Sequence, residues 1–223
     1  MNYAIVTSSR TGNTAFLAQK LAEALPAQDC VFAGAPGQTL PDADLIFVGF
    51  WTDKGDCPPD AAAFLARLRG KRVFLFGTAG FGGSQQYFAE ILGRVRAHLD
   101  ASNTVAGQFM CQGRMPQAVR RRFEAMPLEQ AAPMLQNFDR ALSHPDDADA
   151  AALAAAAKAC LERCPNAKKY HPSPPLPVSG PACARWDTLF LAFRRGHPSS
   201  SAGSQPVLRQ TSAQASGSNF RSR

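Results

Sequence analysis

The sequence contains no apolar run approaching the ~18 residues needed to cross a bilayer, so a membrane-spanning chain is not expected. Its opening stretch, Met1-Asn2-Tyr3-Ala4-Ile5-Val6, has neither the basic flank nor the long apolar core of a secretion signal. The six cysteines are irregularly spaced in a chain of 223 residues, which argues against a disulfide scaffold. Cys160 and Cys164 form a C-x3-C pair, but no second cysteine or histidine pair follows at zinc-ligand spacing, although His171 lies nearby. Reduced thiols in a cytoplasmic protein are the expectation. Acidic residues are almost missing from residues 165–223, where Asp187 stands alone against eight Lys/Arg. The formal net charge of +7 therefore belongs wholly to that segment, since sixteen basic and sixteen acidic residues cancel over 1–164. Two phosphate signatures are also missing: G-x-x-x-x-G-K-[ST], and G-x-G-x-x-G in the first strand–helix turn. A kinase, a GTPase and a dinucleotide dehydrogenase of the usual kind are disfavoured.

What is present is an alternation of short apolar runs with amphipathic segments. Strands are expected at Tyr3–Thr7, Asp29–Ala33, Asp44–Gly49, Arg72–Gly77 and Thr104–Met110. Helices are expected at Ala15–Leu25, at Asp60–Leu68 with Asp60 as cap, and at about Ser84–Leu99. The strands are nearly continuous apolar runs, as when helices cover both faces of a parallel sheet. The order of elements predicts a three-layer α/β sandwich with right-handed crossovers. Residues 116–142, with Arg120, Arg121 and Arg122, are helical material beyond that plan. Ser143-His-Pro-Asp-Asp147 then reads as the start of a last helix, with its proline in the first turn, running to about Arg163. This gives a domain over 1–164. Residues 165–223 are rich in proline and serine and read as a largely disordered basic tail. Within it Trp186–Phe193 is apolar enough to pack on the domain, touch a membrane surface or dock on a partner.

The informative segment is Ser9-Arg10-Thr11-Gly12-Asn13-Thr14, between the first strand and the first helix. Backbone N–H groups and short hydroxyls there face an anion at the positive end of a helix dipole, and Gly12 permits positive φ. A serine-rich helix start with no ligand is the plainer alternative. The segment resembles the phosphate loop S/T-x-T-G-N-T of flavodoxins, and the similarity extends over roughly residues 1–164 through the element order and two later loops. That resemblance implies a flavodoxin-like sandwich with a five-stranded sheet in the order 2-1-3-4-5, an extra helical segment before the last helix, and FMN as cofactor. It places the FMN phosphate on Ser9, Arg10, Thr11, Gly12, Asn13 and Thr14. Trp51, with Phe50 and Thr52 beside it, is implied as the aromatic wall against the flavin ring, although a tryptophan at this place could also simply cover the sheet edge. Thr78, Ala79, Gly80, Phe81 and Gly82 form the third loop, with backbone amides near the ring. Gln85 stands where the short-chain carriers have a stacking tyrosine, while Tyr87 follows on the helix, so a more open outer flavin face is expected.

The neutral body also contrasts with the strongly acidic flavodoxins. Negative charge near the flavin disfavours its reduced, anionic form, so a less extreme low-potential couple is expected here. The loop Gly77–Ser84 together with Cys111-Gln-Gly-Arg-Met115 resembles a subgroup of flavodoxin-like proteins encoded beside other reductases, including those that accompany bilirubin reductase. Cys111 itself reads either as a rim thiol with altered reactivity or as a small buried hydrophobe. The histidines His98, His144, His171 and His197 lie outside the three loops and read as surface or capping residues, so no acid–base pair points to a dedicated substrate. The expectation is an FMN electron carrier between redox partner proteins, a reductase and an acceptor, with no nucleic-acid partner. An FMN-dependent NAD(P)H or quinone oxidoreductase on the same fold is the alternative. A non-redox module acting through the basic tail ranks last, because that tail shows no recognition fold.

Overall fold

A computed structural model describes residues 1–163. The strands are β1 (Tyr3–Thr7), β2 (Cys30–Gly34), β3 (Leu45–Trp51), β4 (Arg72–Ala79) and β5 (Thr104–Gln112). All pair in parallel, in the order β2-β1-β3-β4-β5. The sheet expected from the resemblance is therefore the one observed. Among the described residues, α1 (Asn13–Ala24), α2 (Pro59–Leu65) and α3 (Gln85–Arg96) lie between strands, and α4 (Gln117–Glu124), α5 (Leu128–Ala141) and α6 (Asp147–Glu162) follow β5.

Alternation along the strands divides the core into two layers. Tyr3, Ile5, Leu45, Phe47, Phe74 and Phe76 face α1 and α6, where Leu17, Leu21, Leu153 and Ala157 meet them. Ala4, Val6, Ile46, Val48, Phe50, Val73 and Leu75 face the other way, onto Phe64 and Leu65 of α2 and Ile91 and Val95 of α3. Burial on both faces explains why these strands read as unbroken apolar runs. Two large–small pairs lock β3 to β4. Gly49 lies in register with Phe76, and Phe50 with Gly77. A Cβ on Gly49 would sit 2.4 Å from the Phe76 ring, and one on Gly77 would sit 2.6 Å from the Phe50 ring. These contacts fix the spacing of the two strands just below the loops that carry the candidate site.

The helical material over 116–142 is the α4–α5 pair, two helices where one segment was expected. Other local readings need correction. Asp60 does not cap α2: Pro58 is the N-cap residue, with no side-chain hydrogen bond, and Asp60 instead accepts a 2.7 Å bond from the Ser8 hydroxyl. Two consecutive prolines already set the backbone for the first turn, which releases the carboxylate to hold the β1 loop. Pro145 precedes α6 rather than lying in its first turn. Asp146 is the N-cap, and Asp149 closes a capping box with it. The hydrogen bond from the Asp149 N–H holds the Asp146 carboxyl below its ordinary pKa. The expected tail at 165–223, with Trp186–Phe193, Cys183, His171 and His197, lies outside the described residues, as does Cys164.

Candidate cofactor site

The site is built where β1, β3 and β4 end, at the carboxyl edge of the sheet. β1 runs out through Ser8 and Ser9 into Gly12, which stands at φ 90 and caps α1 with its backbone. That left-handed conformation favours glycine. It turns the chain so that the first N–H groups of α1 open toward the loop. Among the loop side chains, several heads are committed within the protein. Ser9 Oγ accepts the Ala15 N–H at 3.2 Å. Asn13 Nδ2 donates to the Arg114 carbonyl at 2.9 Å, and Thr14 Oγ1 lies 3.0 Å from Thr78 Oγ1 in a fully buried pair. Arg10 and Thr11 stay exposed.

These bonds tie the three loops into one body. Thr14–Thr78 joins the first to the third, and Thr52 N–H donates to the Thr78 carbonyl at 2.9 Å to join the second. Ser8 N–H donates to the Gly49 carbonyl at 2.9 Å. Trp51 ends β3, half-buried, with the Arg10 guanidinium over its ring at 5.2 Å. Phe50, by contrast, is fully buried beneath the sheet's other face. The second loop then folds as a tight Asp53–Asp56 turn, stapled to α3 by Arg94 Nη1 on the Gly55 carbonyl and by His98 Nε2, 3.0 Å from Asp56 Oδ2.

Burial pushes the Asp56 carboxyl up, but the bonds from His98 and the Cys57 N–H outweigh it and leave its pKa below the ordinary value. A carboxylate of depressed pKa stabilises the fold above its unfolded-state value, and that contribution disappears as pH falls through the folded-state value. The protein is thus expected to lose stability as pH drops below about 3.8. Asp56→Asn is expected to be less stable at neutral pH and to show a shallower loss across that acid window. Equal slopes in an acid series of unfolding titrations would contradict this role.

The third loop, Gly80–Ser84, is held by the α4–α5 pair. Asn137 Nδ2 donates to the Gly80 carbonyl at 2.9 Å, while its Oδ1 accepts from Gln112 at 3.3 Å. Phe81 meets Phe123 of α4 edge-on at 5.7 Å. Tyr87 packs beneath Gly82, where a Cβ would come within 2.1 Å of its ring. Nothing in the sequence alone marked Asn137 or Phe123, because their partners, Gly80 and Gln112 for the one and Phe81 for the other, lie 25 or more residues away. Cys111 sits at the end of β5 as a buried thiol. Burial, helped by the charges of Asp149 and Asp146, raises its pKa strongly, so the small-hydrophobe reading holds. Cys57 is likewise pushed up to about 12 by burial and by Asp56. His98 and His144 pair with Asp56 and Asp149, in keeping with structural roles.

Comparison with known proteins bears on this geometry. A flavodoxin domain model matches residues 4–158. This chain belongs to the flavodoxin family. Among curated proteins it is 39% identical over 176 residues to a flavodoxin-like domain-containing protein BilS of Clostridium symbiosum, covering 69% of this chain and 92% of that one. It is 28% identical over 156 residues to a protein of the same description from Clostridioides difficile, covering 66% and 89%. The two relatives share one description, which is in keeping with the resemblance to a subgroup of flavodoxin-like proteins. Among solved structures, the two-electron reduced Megasphaera elsdenii flavodoxin is similar at 23% identity, over 58% of this chain and 93% of that one, with a TM-score of 0.38.

Family membership brings FMN as cofactor and electron transfer as the general chemistry. The residues at the carboxyl edge suit such a group. Thr7 Oγ1 and Thr52 Oγ1, at the ends of β1 and β3, are buried without a hydrogen-bond partner. Orphaned hydroxyls at that edge are what a polar ligand would satisfy. Among the described residues no helix is long and apolar enough to cross a membrane.

Proposed function

We propose that this chain is an FMN electron carrier, working in the cytoplasm between a reductase and an acceptor protein. In this reading FMN lies across the three tied loops, with its phosphate on residues 9–14 and its ring on Trp51. The observation that carries the reading is the convergence of an open α1 N-terminus, an aromatic plane and a glycine-rich loop on one sheet edge, joined through Thr78. FMN supplies the redox chemistry when bound; the protein supplies binding, orientation and the local field.

The residues divide that work. Thr11, exposed beside Gly12, is the free hydroxyl for the phosphate, together with the N–H groups at the head of α1. Thr14, assigned to the phosphate from the sequence, is committed to Thr78 and supports the loop from below. Trp51 offers the flat face. Thr52, Thr78, Ala79, Gly80, Phe81 and Gly82 line the ring's polar edge, with Phe81 and Tyr87 set by the α4–α5 pair and α3 rather than free to close over it. Cys57 and Cys111 are buried free thiols, which suits a reducing compartment. The domain over 1–164 carries this function.

Replacing Thr11 by alanine removes one hydrogen bond to a charged group, worth about 1.5 kcal/mol. FMN affinity is therefore expected to fall roughly tenfold, with riboflavin affinity unchanged. Equal losses for both flavins would remove Thr11 from the phosphate site. The carrier reading is tested by mixing the purified protein with NADPH and a quinone. It predicts no turnover until a reductase is added, whereas turnover by the protein alone would favour the oxidoreductase.

A further inference from the structure

We propose that Arg10 is a selectivity residue, holding the face of Trp51 until a flavin that carries a phosphate draws it away. The proposal rests on the FMN reading above and goes further, assigning to one side chain the discrimination between FMN and the uncharged flavin.

The guanidinium carbon of Arg10 lies 5.2 Å from the centroid of the Trp51 ring. Among the described residues this ring is the only partner recorded for Arg10, and no carboxylate pairs with it. An exposed cation over an indole face is worth roughly two- to fivefold in an equilibrium. A flat heteroaromatic and a flat guanidinium cannot share one face of the same indole. A flavin that stacks there must first displace the arginine and lose that contact.

The displaced group is rooted one residue before Thr11 and two before Gly12, in the loop that leads to the α1 N–H groups. It is also the one positive side chain in that loop. Three of the other heads are anchored within the protein: Ser9 Oγ accepts the Ala15 N–H, Asn13 Nδ2 donates to the Arg114 carbonyl, and Thr14 pairs with Thr78. Arg10 is thus free to move, while most of its neighbours are not. A phosphate monoester compensates the movement with a charge-assisted hydrogen bond, for which the planar guanidinium is well suited. Riboflavin has nothing to offer in exchange. One side chain therefore penalises the flavin without phosphate and favours the one with it.

The two effects have opposite signs, which makes the test sharp. The purified full-length protein, freed of bound flavin, is titrated with FMN and with riboflavin, following quenching of flavin fluorescence. Wild type, Arg10→Ala and Arg10→Lys are compared, with circular dichroism confirming that each is folded. Arg10→Ala is expected to bind FMN roughly tenfold more weakly and riboflavin roughly two- to fivefold more tightly, with Arg10→Lys between the two. Any other pattern overturns the assignment, including parallel losses that would mean Arg10 backs the indole while the flavin stacks. If wild type quenches neither flavin, the FMN reading itself fails. If wild type binds both and the variants do not split them, only the role of Arg10 fails.

Discussion

Replacing Gly77 by valine is expected to lower the unfolding free energy by about 3 kcal/mol, at the upper end of what overpacking a filled core costs. The cause is local and fully specified. Gly77 faces Phe50 across the β3–β4 pair, and a Cβ there would lie 2.6 Å from two carbons of the Phe50 ring. Phe50 is fully buried against the α2–α3 layer and has no free direction in which to yield. For a domain of this size the loss corresponds to a fall in midpoint of roughly 10 °C. Gly93→Ala on α3 is the control: nothing lies within 4 Å of its Cβ, and helix propensity favours alanine there by roughly 1 kcal/mol. Thermal unfolding of the two variants should move in opposite directions. A Gly77→Val protein as stable as wild type would mean that β3 and β4 are not held at this spacing.

The second large effect concerns the ring rather than the sheet. Trp51→Ala removes the aromatic plane at the end of β3, and with it both apolar contact and stacking worth about 1.5–3 kcal/mol. Affinities for FMN and riboflavin are expected to fall together, roughly 10- to 100-fold, because the lost contact is to the part the two flavins share. Thr11→Ala, by contrast, is expected to separate them. Flavin fluorescence titrations on the two variants therefore read the ring site and the phosphate site independently. Unchanged riboflavin binding in Trp51→Ala would remove that side chain from the site.

The parts of this architecture written in local sequence were readable before the structure. Near-continuous apolar runs such as Leu45–Trp51 and Arg72–Ala79 announce strands buried on both faces. Gly12 within Ser9–Thr14 announces a turn into a helix start. What escaped was whatever depends on contacts far apart in the chain. Asp60 looks like a helix cap by position, yet it serves Ser8, fifty-two residues away. Thr14 reads as a phosphate donor by motif, and its pairing with Thr78, sixty-four residues on, has no signal in the local sequence. Asn137 had no motif at all, and its role exists only because α5 lies over the Gly80 carbonyl. Composition and period determine which segments become elements; which side chain satisfies which buried group is decided by tertiary packing.

That the α4–α5 pair grips the third loop also changes the picture of the flavin's outer face. The absence of a stacking tyrosine at Gln85 suggested an open site. In the structure Phe81 is 36% exposed, and it is braced by Phe123, while its loop is fastened by Asn137. In the proposed carrier, an exposed but braced loop would suit passing electrons to a docked partner better than closing over a bound substrate.

The most direct measurement is the visible spectrum of the purified protein, followed by mass analysis of whatever small molecule it releases on denaturation. The account predicts flavin absorbance and a released mononucleotide, or restoration of that absorbance when colourless protein is incubated with FMN and desalted. A protein that emerges colourless and takes up no FMN would contradict it.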